Sequence, residues 1–164
     1  MNKFEKIKFV SINGSNDTGD GSFELPYRTI QYAMSDVPID ELGWRIILMS
    51  GSYYEPNLDL LPNIPLQAMI PNTVTITSPI IFVYSGSYNF NGIDFSIVDN
   101  YAFTCTNNLN LQIIFTSCGL IATPTVDSGC GIFNIDHAIY NISIVDSLLS
   151  IQNYMIDLKA LKTA

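Results

Sequence analysis

Short runs of large apolar residues, separated by polar or glycine-containing turns, recur along most of the chain. Six-residue blocks with apolar residues at the first and sixth positions begin at Phe90, Phe115 and Ile144, which are 25 and 29 residues apart. The third position of each block is small or turn-prone, as a corner between two strands requires. These third positions are Gly92, Ser117 and Asp146.

Spacings of this size predict a β-solenoid, in which each coil holds short strands and stacks its inward residues on the previous coil. The first positions, Phe90, Phe115 and Ile144, would form one inward ladder. The sixth positions, Phe95, Leu120 and Leu149, would form another. An antiparallel β-sandwich with alternating strands is the alternative interpretation.

A second internal match has a spacing of 35 residues. The segment 46–53 aligns with 81–88, and both end in Ser-Gly-Ser-Tyr. We interpret this match as a further coil repeat.

The N-terminal third has a different pattern. A short apolar strand is predicted over 9–12, followed by a polar, glycine-rich loop over 13–22. Ile30, Ala33, Met34 and Val37 then recur at i, i+3, i+4 and i+7. This stripe predicts a helix from Pro26 to Val37, with the proline in its first turn. A buried strand over 44–49 and a turn-like segment over 50–55 follow.

This order of elements carries a specific sequence resemblance. The pattern is "YVS-x-x-G-[ST]-D…G…P-[FY]-x-T-I-Q-x-A" followed by "I-x-L-x-x-G-x-Y-x-E". Its matches are Val10-Ser11, Gly14-Ser15, Gly19, Pro26-Tyr27, Thr29-Ile30-Gln31, Ala33, Ile46, Leu48, Gly51, Tyr53 and Glu55. Phe9 replaces the tyrosine, and Asn16 takes the place of the aspartate. The first third of the chain thus resembles right-handed parallel β-helix proteins of the pectin-lyase-like superfamily, which include enzymes and non-catalytic virion proteins.

Together, the repeats and the resemblance predict an all-β chain, a right-handed parallel β-helix with an N-terminal capping helix. A single domain over 1–164 would hold the strand, loop and capping helix in 1–43, the coils in 44–151 and a tail in 152–164. The helix stripe suits the apolar cross-section of the first coil. No comparable cap is evident after the last block, and an open apolar end favours assembly.

The distribution of charge limits the function. The 164-residue chain is 48% hydrophobic and only 13% charged, with a net charge of −8. No lysine or arginine lies between Arg45 and Lys159. This argues against binding to nucleic acid or to an anionic membrane, because lysine and arginine dominate both interactions. Charges within the first eight residues interrupt any signal-peptide core, and no apolar run is long enough to span a membrane, so we expect a soluble protein.

The same lack of cations affects catalysis. In the superfamily that this chain resembles, lyases generally use an arginine or lysine base and methylesterases use two aspartates with an arginine. Polygalacturonase-like hydrolysis uses clustered aspartates with a histidine and an "R-I-K" stretch. The coils after Arg45 contain no lysine or arginine, no Asp-Asp pair and no "R-I-K". These three chemistries are therefore not expected.

Other chemistries need fewer residues. Two carboxylates about 5 to 10 Å apart suffice for a glycosidase. Asp94 and Asp146, near similar corners, are the first such pair. Further candidates are Asp99, Asp127 and Asp136, with His137 beside Asp136 as a possible acid and base pair. For all of these we favour solvated turn residues, and for His137 a surface or hydrogen-bonded role, because adjacent strand residues point to opposite faces.

Binding residues are also open to two interpretations. Glu55, Asp59 and Asp94 could bind a metal, and Asn16, Asp17 and Asp20 could offer oxygens to calcium. A polar loop without metal is the favoured interpretation, and no cofactor or metal is expected. The three cysteines, Cys105, Cys118 and Cys130, are predicted to be buried free thiols. Six tyrosines could make a surface for sugars or proteins or could be core residues: Tyr53, Tyr54, Tyr84, Tyr88, Tyr101 and Tyr140.

We therefore predict a non-catalytic structural or interaction module with protein partners. The resemblance implies a virion component, such as a capsid-associated, decoration or fibre protein, that is assembled in the host cytoplasm, and it implies a possible trimer. The alternative is a β-helix protein that binds or hydrolyses a neutral glycan through carboxylates and tyrosines.

Overall fold

The computed structural model describes residues 6–38, 40–56, 58–98, 100–105, 108–123, 131–135 and 138–151. The chain begins with strand β1 (Lys6–Val10) and helix α1 (Ile30–Ser35). The first two coils are β2 (Trp44–Leu48), β3 (Gly51–Tyr53) and β4 (Leu58–Asp59), then β5 (Leu66–Ala68), β6 (Val74–Ile76) and β7 (Ile80–Phe82). The next two are β8 (Gly86–Asn91), β9 (Ile93–Val98) and β10 (Tyr101–Cys105), then β11 (Asn110–Thr116), β12 (Gly119–Thr123) and β13 (Gly131–Asn134). Strands β14 (Ile139–Val145) and β15 (Leu148–Ile151) begin a fifth coil.

The strands form three sheets, and successive coils add one strand to each. The sheet orders are β1-β2-β5-β8-β11-β14, β3-β6-β9-β12-β15 and β4-β7-β10-β13. Every strand pair in the described ranges is parallel. The predicted all-β chain of stacked parallel strands is confirmed. It is consistent with a β-solenoid and rules out the antiparallel sandwich.

Both inward ladders have the predicted register. Phe115 pairs with Phe90 on one side and with Ile144 on the other. Leu120 pairs in the same way with Phe95 and Leu149. The aromatic residues stack directly: the ring centroids of Phe90 and Phe115 are 5.2 Å apart. Burial of these rings, together with their mutual contacts, stabilises the centre of the coils.

The interpretation of the 35-residue match as a coil repeat was wrong. Ile46 pairs with Leu66, only 20 residues on, whereas Ile81 lies in another sheet. The shared Ser-Gly-Ser-Tyr is instead a local corner used twice, once at the start of β3 and once at the start of β8. In each copy the glycine has a positive φ, 154° at Gly51 and 148° at Gly86, which side chains rarely allow.

The tyrosines of these two corners make the same hydrogen bond. The Tyr53 hydroxyl donates to the Met49 carbonyl oxygen at 2.7 Å. The Tyr88 hydroxyl donates to the Tyr84 carbonyl oxygen at 2.8 Å. The hydroxyl thus bonds the carbonyl four residues earlier in both cases, so the match in sequence reflects a match in turn geometry.

Helix α1 is shorter than the predicted 26–37. Tyr27 is held in a parallel bridge with Val10, so the chain is still extended after Pro26. Thr29 is the N-cap, with φ −122° and ψ 146°, and its side chain accepts a hydrogen bond from the Tyr32 N–H. The predicted apolar stripe is buried, and Ile30, Ala33 and Met34 join the same core cluster as the coils. Similarly, β1 covers 6–10 rather than 9–12, because it pairs in parallel with β2 from Lys6 onward.

Two of the three cysteines are in this core. Cys105 and Cys118 are buried free thiols, as predicted. Cys130 and the tail 152–164 lie outside the described residues. Among the residues that the structure describes, no helix has the length and hydrophobicity needed to cross a membrane.

Candidate functional site

The residues of the N-terminal sequence pattern are used to attach α1 to the first coil. The Glu55 carboxylate accepts hydrogen bonds from the Ile30 N–H at 2.6 Å and from the Gln31 N–H at 2.9 Å. Only 9% of Glu55 is exposed, and burial raises the pKa of its carboxyl despite these two donors. Glu55 therefore satisfies two N–H groups that the helix itself leaves unpaired.

Asn16 fixes the segment that precedes the helix. Its Oδ1 accepts hydrogen bonds from the N–H groups of Arg28, at 2.9 Å, and Thr29, at 3.2 Å. Its Nδ2 donates to the Thr29 hydroxyl at 2.9 Å. The side-chain oxygen at this position is therefore engaged by the backbone, as an aspartate oxygen there could also be.

The side chain of an acidic residue in this loop, Asp20, is similarly engaged by the backbone. Asp20 Oδ1 accepts a hydrogen bond from the Ser22 N–H at 2.8 Å, and the hydrogen bonds from Ser22 lower the pKa of the Asp20 carboxyl. In the described ranges, no three His, Cys, Asp or Glu side chains are placed to hold one metal ion. Asn16 Oδ1 fixes the segment before the helix, and Asp20 Oδ1 stabilises a local turn.

Charged side chains of β1 are paired near the same junction. Lys8 Nζ lies 2.5 Å from Asp36 Oδ2, which also accepts a hydrogen bond from the Tyr27 hydroxyl at 2.6 Å. Both contacts, that with Lys8 most of all, lower the pKa of Asp36. Lys6 Nζ lies 2.8 Å from Glu41 Oε2. Both lysines are therefore paired with carboxylates, and the Lys6–Glu41 pair is exposed to solvent.

The first carboxylate pair from the sequence, Asp94 and Asp146, lines one open groove of about 520 Å³. The groove follows the corner between the first two sheets, and its other lining residues are Asn72, Ser117, Cys118, Gly119, Ile121 and Leu148. Gly119 pairs with Asp94 on one side and with Leu148 on the other, so two strand spacings, about 10 Å, separate the strands of Asp94 and Leu148, and Asp146 lies two residues before Leu148 at the corner. The predicted placement at similar corners is confirmed.

The corner itself explains several residue choices in this groove. Four stacked corner residues have a positive φ: 60° at Asn72, 69° at Gly92, 53° at Ser117 and 48° at Asp146. Asparagine, aspartate and glycine adopt this conformation more readily than other residues. Asp94 also serves the corner, because its Oδ1 accepts a hydrogen bond from the Gly119 N–H at 2.9 Å.

The cysteine in this groove is not activated. Cys118 Sγ donates to the Thr116 carbonyl oxygen at 3.3 Å. Burial raises the pKa of the thiol, which keeps it protonated at neutral pH. Cys118 is therefore a corner and core residue rather than a nucleophile.

The remaining candidates do not converge. Glu55 binds the helix, Asp59 lies in β4 of one sheet, and Asp94 lies in β9 of another. The Asp59 backbone N–H donates to Gln31 Oε1 at 3.0 Å, beside a smaller cavity of about 250 Å³ between α1 and the coils. Asp99, Asp127, Asp136 and His137 lie outside the described residues.

The tyrosines divide between core and surface. Tyr53 and Tyr88 are buried, and burial raises the pKa of each to about 12. Tyr54 and Tyr84 are exposed. Tyr101 and Tyr140 are half-buried.

A second candidate site is the edge of the largest sheet at its last strand, β14. Ile144 continues the ladder of Phe90 and Phe115 but is 40% exposed, whereas Phe115 is completely buried. Ile139 and Val145, on the outer face, are also exposed. The strand contains no charged residue, so this edge is apolar or uncharged throughout.

Sequence reasoning did not foresee the role of Glu55, and the expected open end stays a prediction because the tail 152–164 lies outside the described residues. The sequence contained one signal for the role of this glutamate. Glu55 follows the buried Tyr53 by two residues and belongs to the same N-terminal pattern as the helix residues. No protein-family model, curated protein or solved structure matches this chain.

Proposed function

We propose that this chain is a non-catalytic structural or interaction module that works within a protein assembly. The observation that carries this proposal is the uncharged strand β14, which is the last strand of the largest sheet among the described residues and exposes Ile139, Ile144 and Val145. An exposed strand edge without lysine, proline or a bulge is a template for pairing with another chain. A partner that covers this edge would prevent non-specific pairing and aggregation there.

Two further observations support a structural role. The polar residues of the recognisable N-terminal pattern, Glu55 and Asn16, are engaged in holding α1 on the first coil. Beyond Arg45, the coils lack the lysine or arginine on which lyase and methylesterase chemistry depends. The proposal includes a right-handed coil of the pectin-lyase-like type, since parallel crossovers are right-handed in almost all proteins. It also includes a capping role for α1 at the apolar end of the first coil.

The setting that the sequence resemblance favours is a virion, in which the chain would be a capsid-associated, decoration or fibre component. Gradient sedimentation of the chain from its native setting tests this. The chain is expected in particles much heavier than its own 18.2 kDa, and cross-linking should capture contacts at β14. Recovery of the chain only as a free species would contradict the proposal.

The groove lined by Asp94 and Asp146 favours a second candidate, a protein that binds or hydrolyses a neutral glycan. Inverting glycosidases hold their two carboxyl groups about 6.5 to 9.5 Å apart, and the strands beside this groove place the two aspartates on backbones about two strand spacings apart. A glycan-hydrolysis screen with Asp94→Asn and Asp146→Asn tests it. Activity that is lost in both variants, with folding unchanged, would establish the enzyme and overturn the structural proposal.

A further inference from the structure

A cavity of about 250 Å³ lies between helix α1 and the coils. Its helix side is formed by residues of α1 and by Val37, just beyond the helix. Its coil side is formed by Asp59 of β4 and by residues in the turns that follow β4 and β7. Sites for drug-sized ligands usually measure about 300 to 1,000 Å³. The cavity is therefore sized for a single side chain rather than for an oligosaccharide or another large ligand.

The walls of this cavity are largely apolar. On the helix side, Met34 is 1% exposed and Val37 is 3% exposed, so this wall is packed against the core. On the coil side, Leu61 and Val83 are half-buried. Burial of methylene groups against such walls favours a ligand with an aliphatic stem.

Asp59 and Tyr84 give the cavity a carboxylate and an aromatic ring. Leu58 is buried, so the Asp59 side chain is directed to the outer face of its strand. Tyr84 is 53% exposed, and its carbonyl oxygen accepts the hydrogen bond from the Tyr88 hydroxyl at 2.8 Å. The Asp59 N–H donates to Gln31 Oε1 at 3.0 Å, which ties β4 to the helix. Hydrogen bonds thus fix the backbone that carries both groups.

The charge of the coils favours a cationic ligand for this carboxylate. The segment 46–151 contains seven carboxylates and no lysine or arginine. Both ion pairs between described residues use lysines of β1, Lys6 and Lys8, and neither lysine pairs with Asp59. Burial of a carboxylate without an opposite charge is costly. A partner surface that covers Asp59 therefore has to bring a positive charge.

The combination of walls and polar groups fits arginine better than lysine. The aliphatic stem of an arginine can lie along apolar walls while its charged head stays at a polar group. The planar guanidinium can bind a carboxylate with two parallel hydrogen bonds and can stack on a tyrosine ring. A lysine ammonium is a strongly hydrated point charge, so it loses more on entering a partly buried site.

We infer that this cavity binds an arginine side chain of a protein partner, with the Asp59 carboxylate as its counter-ion. The aliphatic stem packs against Met34 and Val83, and the guanidinium lies between Asp59 and Tyr84. The inference rests on the proposed assembly role and names the chemistry of the partner at the N-terminal end of the coils. Opposite charges across such a contact select the partner and its orientation.

The first test is a nuclear magnetic resonance titration of the full chain with Nα-acetyl-arginine N-methylamide. The corresponding citrulline amide is the control, because it has nearly the same shape and no charge. We expect the arginine amide to shift the backbone signals of Gln31, Asp59 and Tyr84. Its dissociation constant should be lower than that of the citrulline amide by about fivefold, as for a partly exposed ion pair.

Two variants that each remove one carboxylate from the coils make the test specific. Asp59→Asn should abolish the preference for arginine over citrulline. Asp146→Asn removes the same charge in the other groove, so it should keep the preference. The Asp59 side chain is half-buried, and its bond to Gln31 is made by the backbone, so the fold should tolerate Asp59→Asn. Thermal unfolding checks this.

Three results of the titration would overturn the inference. The first is equal affinity for the arginine and citrulline amides. The second is a preference for arginine that survives in Asp59→Asn. The third is a preference that falls equally in Asp59→Asn and Asp146→Asn, since this would reflect general attraction to a chain of net charge −8.

A second experiment uses native particles and separates this inference from the assembly role. Carbodiimide coupling of an amine should label Asp59 in the free chain, and the labelling in particles should be at least about fivefold lower. Equal labelling would overturn the inference and leave the assembly role in place. Recovery of the chain only as a free species would remove the assembly role itself, on which the arginine titration does not depend.

Discussion

The buried contact between Glu55 and the first turn of α1 gives the sharpest stability prediction. Glu55→Ala removes the acceptor of two hydrogen bonds, from the Ile30 N–H at 2.6 Å and the Gln31 N–H at 2.9 Å. The first contact is buried and the second partly buried, so the first donor loses its partner without access to water. An unsatisfied buried donor costs about 1 to 3 kcal/mol, and the partly buried donor costs less.

Removing the carboxylate also has a stabilising effect, because the folded state no longer has to bury a charged group. The same desolvation is what raises the pKa of Glu55. We therefore expect a net loss of about 2 kcal/mol in the free energy of unfolding for Glu55→Ala. Glu55→Gln keeps one oxygen acceptor but turns an amide group toward an N–H, so its loss should be about 1 kcal/mol. Urea unfolding, followed by circular dichroism and by Trp44 fluorescence, measures both.

The matched control is Glu41→Ala, since Glu41 makes an exposed ion pair with Lys6. Its effect on the free energy of unfolding should be clearly smaller than that of Glu55→Ala. A Glu55→Ala protein within about 0.5 kcal/mol of wild type, the usual range for a surface substitution, would refute the reasoning.

The pH dependence provides a second measurement on the same residue. The pKa of Glu55 is raised in the folded state, so the folded chain binds this proton more tightly than the unfolded chain does. The contribution of Glu55 is therefore fully present below its ordinary pKa of 4.5 and is lost as the pH rises through its folded-state value. The stability of wild type relative to Glu55→Gln should increase as the pH falls from 7 toward 4.5. A difference that decreases over this range would contradict the direction of the shift.

Three other predictions concern the corners and the core. Tyr53→Phe and Tyr88→Phe should each cost about 1 kcal/mol, because each hydroxyl has a single proton to donate and the Val10 carbonyl beside Tyr53 also accepts from the Met49 N–H; a loss for Tyr53→Phe twice that for Tyr88→Phe in urea unfolding would contradict this. Ser117 has a φ of 53°, which glycine adopts freely and valine does not. Ser117→Gly should therefore leave the free energy of unfolding within about 0.5 kcal/mol of wild type or raise it, whereas Ser117→Val should lower it by about 1 to 3 kcal/mol. Equal effects of the two substitutions in thermal unfolding would argue against backbone strain at this corner. The thiols of Cys105 and Cys118 should react with a thiol reagent only after denaturation, and rapid labelling of the native chain would show that they are accessible.

Much of the fold could be predicted from the sequence because inward residues repeat at the same place in successive coils. Phe90, Phe115 and Ile144 were aligned correctly, since each precedes a corner that needs a small or turn-prone residue. The Ser-Gly-Ser-Tyr match misled for the opposite reason. The motif forms a turn, and this turn connects β2 to β3 at Gly51 but β7 to β8 at Gly86, which are different pairs of sheets.

The candidate sites were predictable in position but not in role. Asp94 and Asp146 do share a groove, yet sequence alone could not show that Asp94 accepts a hydrogen bond from Gly119. The role of Glu55 depends on a contact between residues 24 and 25 positions apart, which no local pattern encodes. The exposure of Ile144 likewise depends on its neighbours in space rather than on its neighbours in sequence.

The register along the largest sheet means that the coils are not interchangeable units. Inward positions are 20 residues apart from Ile46 to Leu66 and 24 from Leu66 to Phe90. They are 25 apart to Phe115 and 29 apart to Ile144. Each coil is therefore fitted to its own neighbours, and duplication or deletion of one coil would set unequal turns against each other. A chain built in this way should unfold as one cooperative body, unlike arrays of identical repeats that gain or lose units freely.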